Sequence, residues 1–501
     1  MPSQPEILER PETLEECAAA LEAGAVTSAE LVERSLARME AAAALNAFAV
    51  VRAEAARREA ADADRRRRDG ERGPVLGVPI AVKDDTDVSG EPTAFGCAGA
   101  FPAATRDAEL VRRLRVAGAV IVGKTTTPEL GQWPFTEGSF GRTANPWSPA
   151  HSPGGSSGGS AVAVSAGLVP VATGSDGAGS VRIPAAWTGL VGIKPQRGRI
   201  SMWPDPEAFH GLTTHGILAR TVADAARLLD AVSGNVAGDR HQLPPPAVPF
   251  REAASRPPGR LRVALSTAIP FSLVRTSLDS EVEAAVRRLG EVLAALGHDV
   301  FRADPRYGLV GLSFLPRSHA GLWEWSRRLP DTTVLDRRTA ANCANGRRSR
   351  GPLLAAARAS ERWFARRIGA VFRDADVVLA PTTAKPPFPL GAADGLPNWR
   401  TDQLVASACP YAWPWNVLGW PAVNIPAGLT EGTDGTGRLP IGASLVGAEG
   451  SEALLLSLAA QLESVEGWPS RRPPGYGAGA GAGADPTSAA PSAPAGKRAG
   501  R

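Results

Sequence analysis

Apolar and polar residues repeat with different periods along the chain, and each period predicts a type of element. Residues 12–60 repeat apolar residues at helical spacing, and threonines followed three positions later by glutamate mark the starts of two helices. The stretches 75–85 and 110–124 contain continuous β-branched runs, which are typical of buried strands. Strand and helix patterns keep alternating up to a two-stranded pattern at 422–447 and a last helix at 451–464. This alternation predicts an α/β fold.

The carboxyl-terminal end of the chain breaks this pattern. From residue 469 the sequence is rich in glycine, alanine and proline and has almost no large apolar residues. Such a composition cannot bury enough apolar surface to repay the entropy of ordering. We therefore expect a folded domain at 12–468 and a disordered tail at 469–501.

Composition and charge exclude several classes of function. The 501 residues are 43% hydrophobic and 21% charged, which is ordinary for a globular protein. With 55 basic and 51 acidic residues the net charge is +4, so no electrostatic footprint for nucleic acid is present. The arginine run at 65–68 lies among acidic residues and is expected at a solvated helix end. No apolar run has the ~18 residues that a membrane span needs, and no signal peptide is visible, so we expect a cytoplasmic protein.

The cysteines and the loop motifs indicate neither a metal site nor a cofactor. The four cysteines are far apart and lack metal-ligand spacing, so we expect reduced thiols. No phosphate-binding loop pattern is present. The sequence therefore predicts chemistry carried out by side chains alone, and it leaves the assembly state, including a homodimer, open.

Two glycine- and serine-rich segments are the first candidates for that chemistry. GGSSG at 154–158 fits the nucleophile-elbow pattern G-x-S-x-G, but that motif requires a preceding strand, and the prolines before it exclude one. The second segment, GSDGAGS at 174–180, can direct several backbone amides at one point, as a site for an oxyanion requires. Ser180 at its end is a candidate nucleophile, which would need a base within hydrogen-bond reach.

A lysine is the candidate base. Only five of the 55 basic residues are lysines, and unlike arginine a buried lysine can lose its proton. Lys83 ends a predicted buried strand, where desolvation should lower its pKa. Taken alone, a single lysine is more often a surface charge, and the six histidines show no orienting partner.

Four long motifs in order resemble the amidase signature family. They are GVPIAVKD at 77–84, SPGGSSGGSAVAVSAGLVPVATGSDGAGSVRIPAAWTGLVGIKP at 152–195, HGILARTVADAARLLDAVSG at 215–234 and PWNVLGWPAVNIPAG at 414–428. The resemblance spans roughly residues 12–468. It implies one large α/β domain with a central twisted mixed β-sheet covered by helices. It also implies an amidase that hydrolyses a carboxylic acid amide to the acid and ammonia or an amine through an acyl-enzyme.

The resemblance also assigns residues. The family's Ser–cis-Ser–Lys triad matches Lys83, Ser156 and Ser180, with a cis peptide bond between Gly155 and Ser156. The remaining assignments are Gly177, Ala178 and Gly179 with Ser180 for the oxyanion hole, and Ser157, Asp176 and Arg182 for support. The sequence departs from the family pattern at Ala178, where glycine is usual and a methyl group would narrow the pocket, at Asp85, where asparagine is common, and at Thr188, where many members have cysteine.

Two other functions are compatible with this resemblance. Some members are the glutaminase subunit of a tRNA-dependent amidotransferase, but the stretch TTTPELGQWPFTEGSFGRTANPW after the strand near 124 lacks their acidic, methionine-containing motif. A non-catalytic homologue is the other alternative, and the intact Lys–Ser–Ser set argues against it. The substrate is not fixed by sequence, although five tryptophans between about 250 and 413 weakly suggest an apolar or aryl acyl group: Trp323, Trp325, Trp363, Trp399 and Trp413.

Overall fold

A computed structural model describes residues 12–476 except 272, 273, 275 and 433–436. Its strands are β1 (Phe48–Val51), β2 (Pro79–Lys83), β3 (Val120–Thr125), β4 (Glu137–Gly138), β5 (Gly141–Arg142), β6 (Val171–Asp176), β7 (Val191–Lys194), β8 (Thr214–Ala219), β9 (Arg262–Leu265), β10 (Asp299–Arg302), β11 (Val377–Pro381), β12 (Ala422–Leu429) and β13 (Pro440–Gly447).

The helices surround these strands. They are α1 (Leu14–Glu22), α2 (Ser28–Ala41), α3 (Ala53–Arg68), α4 (Glu109–Val116), α5 (Gly158–Ser165), α6 (Arg182–Thr188), α7 (Val222–Val232), α8 (Phe250–Ala254), α9 (Ser280–Ala295), α10 (Gly311–Ser326), α11 (Arg337–Arg348), α12 (Pro352–Ala359), α13 (Glu361–Ile368), α14 (Asn398–Ala408), α15 (Pro414–Leu418) and α16 (Glu452–Glu466). Both predicted threonine caps are present, since Thr13 and Thr27 form capping boxes at α1 and α2.

Eleven strands form one mixed sheet in the order β1-β3-β2-β6-β8-β7-β12-β13-β11-β9-β10. Strands β3, β2 and β6 are parallel to one another, as are β10, β9 and β11, and antiparallel pairs join these two groups. The two-stranded pattern at 422–447 is the antiparallel pair β12 and β13. The α/β class and the single helix-covered mixed sheet are confirmed.

The sheet is buried on both faces because its strands carry apolar residues at successive positions. In β2, Ile80 and Val82 pack into a cluster with α1, α4 and α7, whereas Ala81 packs on the opposite face with α2, α3 and α5. Successive side chains of a strand point to opposite faces, so an unbroken apolar run fits a strand that helices cover on both sides.

One edge of this sheet gathers the candidate residues. Strands β2 and β6 are parallel neighbours, with Ile80 opposite Val171 and Ala81 opposite Ala172. The carboxyl ends of parallel strands meet at the same edge of a sheet. Lys83 at the end of β2 therefore lies beside the end of β6, where the second glycine- and serine-rich segment begins.

Two segments were predicted from composition: the arginine run at 65–68 and the carboxyl-terminal tail at 469–501. Arg65 and Arg66 pair with Asp62 and Glu71 at the end of α3, so the run at 65–68 is a helix end as predicted. The structure continues past the predicted boundary at 469 to residue 476: Arg472 donates a hydrogen bond to Glu12 (3.1 Å), and Tyr476 packs against the apolar cluster beneath α2. Residues 477–501 lie outside the described residues, and the disordered tail stays a prediction for them.

Candidate active site

Lys83 contacts three polar side chains in the interior. Its side chain is 1% exposed, and its Nζ lies 2.7 Å from Ser156 Oγ and 2.8 Å from Ser175 Oγ. The carboxylate of Asp85 is 3.1 Å from the same Nζ. Burial lowers the pKa of the Lys83 ammonium, and Asp85 opposes this shift. A buried lysine whose pKa is lowered is suited to accept a proton.

The first glycine- and serine-rich segment holds Ser156 against this lysine. The Gly155–Ser156 peptide bond is cis, as predicted. The backbone N–H of Ser157 donates a hydrogen bond to the carbonyl of Ser180 (3.1 Å), and Ser157 Oγ lies 3.3 Å from both the amide nitrogen and the carbonyl oxygen of Ser175. Ser157 therefore joins the two segments side by side.

The second segment exposes Ser180 to a cavity and leaves little space around its glycines. Ser180 is half-buried and lines the same cavity as Ser156. A Cβ atom at Gly179, which has a φ of +114°, would lie 2.5 Å from Ala412 Cβ. Ala178 lines the cavity and does not have a positive φ. The departure from Gly-Gly at this position is thus accommodated without backbone strain.

The amides of this segment divide into two groups. The N–H of Gly179 donates to Asp176 Oδ1 (2.8 Å), so this member of the predicted oxyanion set is already occupied. The N–H groups of Gly177, Ala178 and Ser180 donate to no other residue in the described part of the chain. These three amides are therefore free to bind an oxyanion.

Asp176 and Arg182 form a buried pair that supports the segment. Asp176 accepts hydrogen bonds from Arg182 Nε (3.0 Å) and Nη2 (2.9 Å), and Asn416 Nδ2 donates to its Oδ1 (2.9 Å). Burial alone would raise the pKa of Asp176, but the Arg182 guanidinium holds it well below its usual range. The ionised carboxylate holds the loop through the Gly179 amide.

A cavity of about 540 Å³ opens beside Ser156 and Ser180. Its wall is mainly apolar and aromatic, and it comes from α10, α11, α14 and the loops next to the sheet edge. The aromatic residues of the wall are Trp133, Phe209, Phe271, Phe314, Trp325, Trp399 and Trp413. Three of the five tryptophans named from the sequence are among them, whereas Trp323 and Trp363 do not line the cavity. Such a wall suits an apolar ligand.

Four residues of the site carried no clear signal in the sequence. Ser175 contacts Lys83, and His215 lies directly opposite Ser175 in the β6–β8 register. Asn416 bonds to both Asp176 and Arg182. In the sequence Asp85 stood out only as a departure from the family pattern. It lies in a turn after β2, where the N–H of Thr86 donates to the carbonyl of Lys83 (3.2 Å), and its carboxylate is 3.1 Å from Lys83 Nζ.

Other features have limited bearing on the chemistry. In the described part of the chain no three histidine, cysteine or acidic side chains lie close enough to share a metal ion. All four cysteines are buried and free. Thr188 donates a hydrogen bond to the Pro184 carbonyl inside α6, as a packing role predicts. Among the described helices, none is long and apolar enough to cross a membrane.

Comparisons with known proteins identify the family. A family model described as Amidase matches residues 30–456. "Putative amidase AmiA2" of Mycobacterium tuberculosis is 58% identical over 417 residues, covering 83% of this chain and 85% of its own length. The 6-aminohexanoate-cyclic-dimer hydrolase of Paenarthrobacter ureafaciens is 37% identical over 455 residues, covering 82% and 87%.

Solved structures agree with the sequence relatives. A structure of 6-aminohexanoate cyclic dimer hydrolase superposes with a TM-score of 0.83 at 33% identity, covering 93% of this chain and 99% of that one. A bacterial aryl acylamidase of the amidase signature family superposes with a TM-score of 0.81 at 25% identity, covering 92% and 99%. These findings support amide hydrolysis and give no support to the amidotransferase alternative. The chain belongs to the amidase signature family, and it is an amide-hydrolysing enzyme.

Proposed function

We propose that this amidase works through an acyl-enzyme on Ser180, with Ser156 as proton relay and neutral Lys83 as the base. The observation that carries the proposal is the 2.7 Å contact between Lys83 Nζ and Ser156 Oγ, together with the opening of both serines to one cavity. A nucleophilic hydroxyl needs a base within hydrogen-bond reach, directly or through a relay.

The steps follow from these positions. Lys83 Nζ takes the proton of Ser156, Ser156 takes the proton of Ser180, and Ser180 Oγ forms a bond to the amide carbonyl carbon. The negative charge on the carbonyl oxygen is stabilised by the free amides of the 177–180 segment. The C–N bond then breaks as Ser156 returns a proton to the leaving nitrogen, and ammonia or an amine departs.

Deacylation uses the same groups in the second half of the reaction. Water loses a proton to the relay and attacks the acyl carbon, the Ser180–acyl bond breaks to give the carboxylic acid, and the relay returns that proton to Ser180 Oγ. Lys83 ends each half-reaction in the neutral form in which it began. Apart from water, these steps use only side chains and backbone amides of the protein.

We further propose that the substrate is an amide with a bulky apolar or aryl part. The aromatic wall of the cavity supports this, because burying such a part contributes about 25 cal/mol for each Å² removed from water. A test panel follows from the structural relatives whose names give a substrate. It contains an aryl amide, the cyclic dimer of 6-aminohexanoate and a peptide amide. Acetamide, which has only one methyl group to bury, is the reference substrate.

Turnover of this panel by wild-type enzyme and by Ser180→Ala tests the proposal. We expect the aryl amide to have a higher kcat/KM than acetamide and Ser180→Ala to be inactive on both. Ser464→Ala is the matched control, because Ser464 is exposed on α16, donates to the Gln461 carbonyl and does not line the cavity. If Ser180→Ala keeps wild-type turnover, the nucleophile is elsewhere; if acetamide is the better substrate, the apolar preference is wrong.

Compartment and assembly complete the proposal. We propose a cytoplasmic enzyme whose only required partner is its amide substrate, and a homodimer is the assembly to be tested. Light scattering on the purified protein distinguishes the 52.0 kDa chain from a species of twice that mass.

A further inference from the structure

A carboxylate touches the candidate base, although the proposed mechanism gives it no part. Asp85 follows β2 by two residues, and its side chain is 2% exposed. Its Oδ2 lies 3.1 Å from Lys83 Nζ and accepts a hydrogen bond from Ser175 Oγ, which itself lies 2.8 Å from that Nζ. Lys83, Asp85 and Ser175 therefore each contact the other two, next to Ser156. A buried charge in direct contact with a base affects both its position and its proton affinity.

The other charged groups near this set are engaged elsewhere. Asp84, on the opposite side of the chain, pairs with buried Lys124 (2.8 Å). Asp176 at the end of β6 pairs with Arg182. His215 on β8 faces Ser175 across the register, and burial lowers the pKa of its ring, so it stays neutral near pH 7. Asp85 is thus the carboxylate that contacts Lys83 within the described part of the chain.

The charge state of Asp85 is set by the same contacts. Burial alone would raise the pKa of Asp85, but the charge of Lys83 and the hydrogen bond from Ser175 lower it below its usual range. While Lys83 is protonated, Asp85 is therefore an ionised carboxylate that faces an ammonium group. Its negative charge stabilises an ammonium group on Lys83.

We propose that Asp85 is a positioning residue for the hydrolysis: it holds Lys83 Nζ against Ser156 and stabilises the ammonium that forms as Ser180 attacks. The inference rests on the proposed role of Lys83. The Asp85 carboxylate has two opposing effects on the rate of hydrolysis. It stabilises the protonated lysine in the resting enzyme, which restricts activity at low pH, and it stabilises the same ammonium in the transition state, which raises the rate once the lysine is neutral.

The substitution Asp85→Asn separates these effects because it keeps the shape and removes the charge. An opposite charge in direct contact shifts a pKa by about 1–3 units. In the pH profile of kcat/KM, we therefore expect the acid limb to move to lower pH by about 1–3 units. We also expect the value of kcat/KM on the high-pH plateau to fall at least about tenfold. A residue needed only for packing would lower the plateau and leave the limb in place.

Two further variants make the test specific. Ser175→Ala removes a contact of the same cluster without changing its charge, so its acid limb should stay within about half a pH unit of wild type. Asp85→Ala removes charge and shape together and should show the same acid displacement as Asp85→Asn. Thermal unfolding of each variant confirms that it is folded at the assay temperature.

The decisive measurement is the pH profile of kcat/KM on a turned-over amide for these variants. An acid displacement in both Asp85 variants but not in Ser175→Ala supports the inference. An unmoved limb in Asp85→Asn, or an equal displacement in Ser175→Ala, overturns it. Lys83→Arg, assayed in parallel, separates the two proposals: an active Lys83→Arg refutes the role of Lys83, whereas an inactive one with an unmoved Asp85→Asn limb refutes only the role of Asp85.

Discussion

Replacing Lys83 by arginine should abolish turnover while the fold is kept. The lysine side chain is 1% exposed, and its Nζ has two hydroxyls and a carboxylate within 3.1 Å. Arginine keeps the positive charge and hence the ion pair with Asp85, so a purely electrostatic role for Lys83 predicts a mild effect. A guanidinium cannot lose its proton in a protein, so the role as base predicts a severe one.

The expected magnitude follows from the part that Lys83 plays. Loss of a positioned general base costs about 10²–10⁴ in rate, which corresponds to about 3–5.5 kcal/mol of transition-state stabilisation. Fitting a larger planar group into this packed position costs about 1–3 kcal/mol of stability. Since Lys83 is the base in contact with Ser156 among the residues that the structure describes, we expect the loss of activity at the upper end of this range or beyond.

The assay compares kcat/KM of wild type and Lys83→Arg on the best amide of the panel, with circular dichroism and thermal unfolding on both proteins. Lys385→Arg is the matched control, because Lys385 contacts Ser277 at the surface and should tolerate the same change without effect. A folded Lys83→Arg enzyme that keeps more than about a tenth of wild-type activity would place the base elsewhere. His151, which precedes the first glycine- and serine-rich segment, bonds to Ser148 and does not line the cavity, so His215 would be tested next.

Three further predictions concern stability and the nucleophile segment. Gly179→Ala should lower kcat/KM at least about tenfold and cost about 1–3 kcal/mol in urea unfolding, since its Cβ would meet Ala412 Cβ at 2.5 Å; an unchanged variant would contradict the close packing. Burial raises the pKa of Asp224 to about 7, so its contribution to stability is present below pH ~4 and is lost as pH rises towards 7. Asp224→Asn should therefore gain stability relative to wild type as the pH rises from about 4 to about 7, by up to ~1.4 kcal/mol for each pH unit, and an equal difference at about pH 4 and about pH 7 would refute this. Truncation after Tyr476 should leave melting temperature and activity unchanged, whereas a drop in either would show that residues 477–501 are structural.

Local sequence was sufficient to predict most elements of the fold. The caps at Thr13 and Thr27 and the apolar runs of β2 and β3 depend on neighbours along the chain, and they appear where the pattern placed them. The order of the eleven strands depends on pairings between distant segments, and only the family resemblance supplied the mixed sheet.

The site shows the same division between local and distant contacts. Lys83, Ser156 and Ser180 were predicted because each lies in a long motif. Asn416 was missed because its contacts with Asp176 and Arg182 join residues more than 200 positions apart. The pocket wall was predicted only in part, since tryptophan composition does not indicate which rings face inward: Trp399 lines the cavity, whereas Trp363 stacks under Arg367.

Reaction with a fluorophosphonate tests directly whether Ser180 is the nucleophile, because the position of the covalent adduct can be determined. Such a probe modifies the activated nucleophile, and peptide mass spectrometry locates the modified residue. The account predicts one adduct, on Ser180, which is absent from Ser180→Ala and forms at least about a hundredfold more slowly in Lys83→Arg. An adduct on Ser156 or on any other residue, or labelling of Ser180→Ala at the wild-type rate, would contradict it.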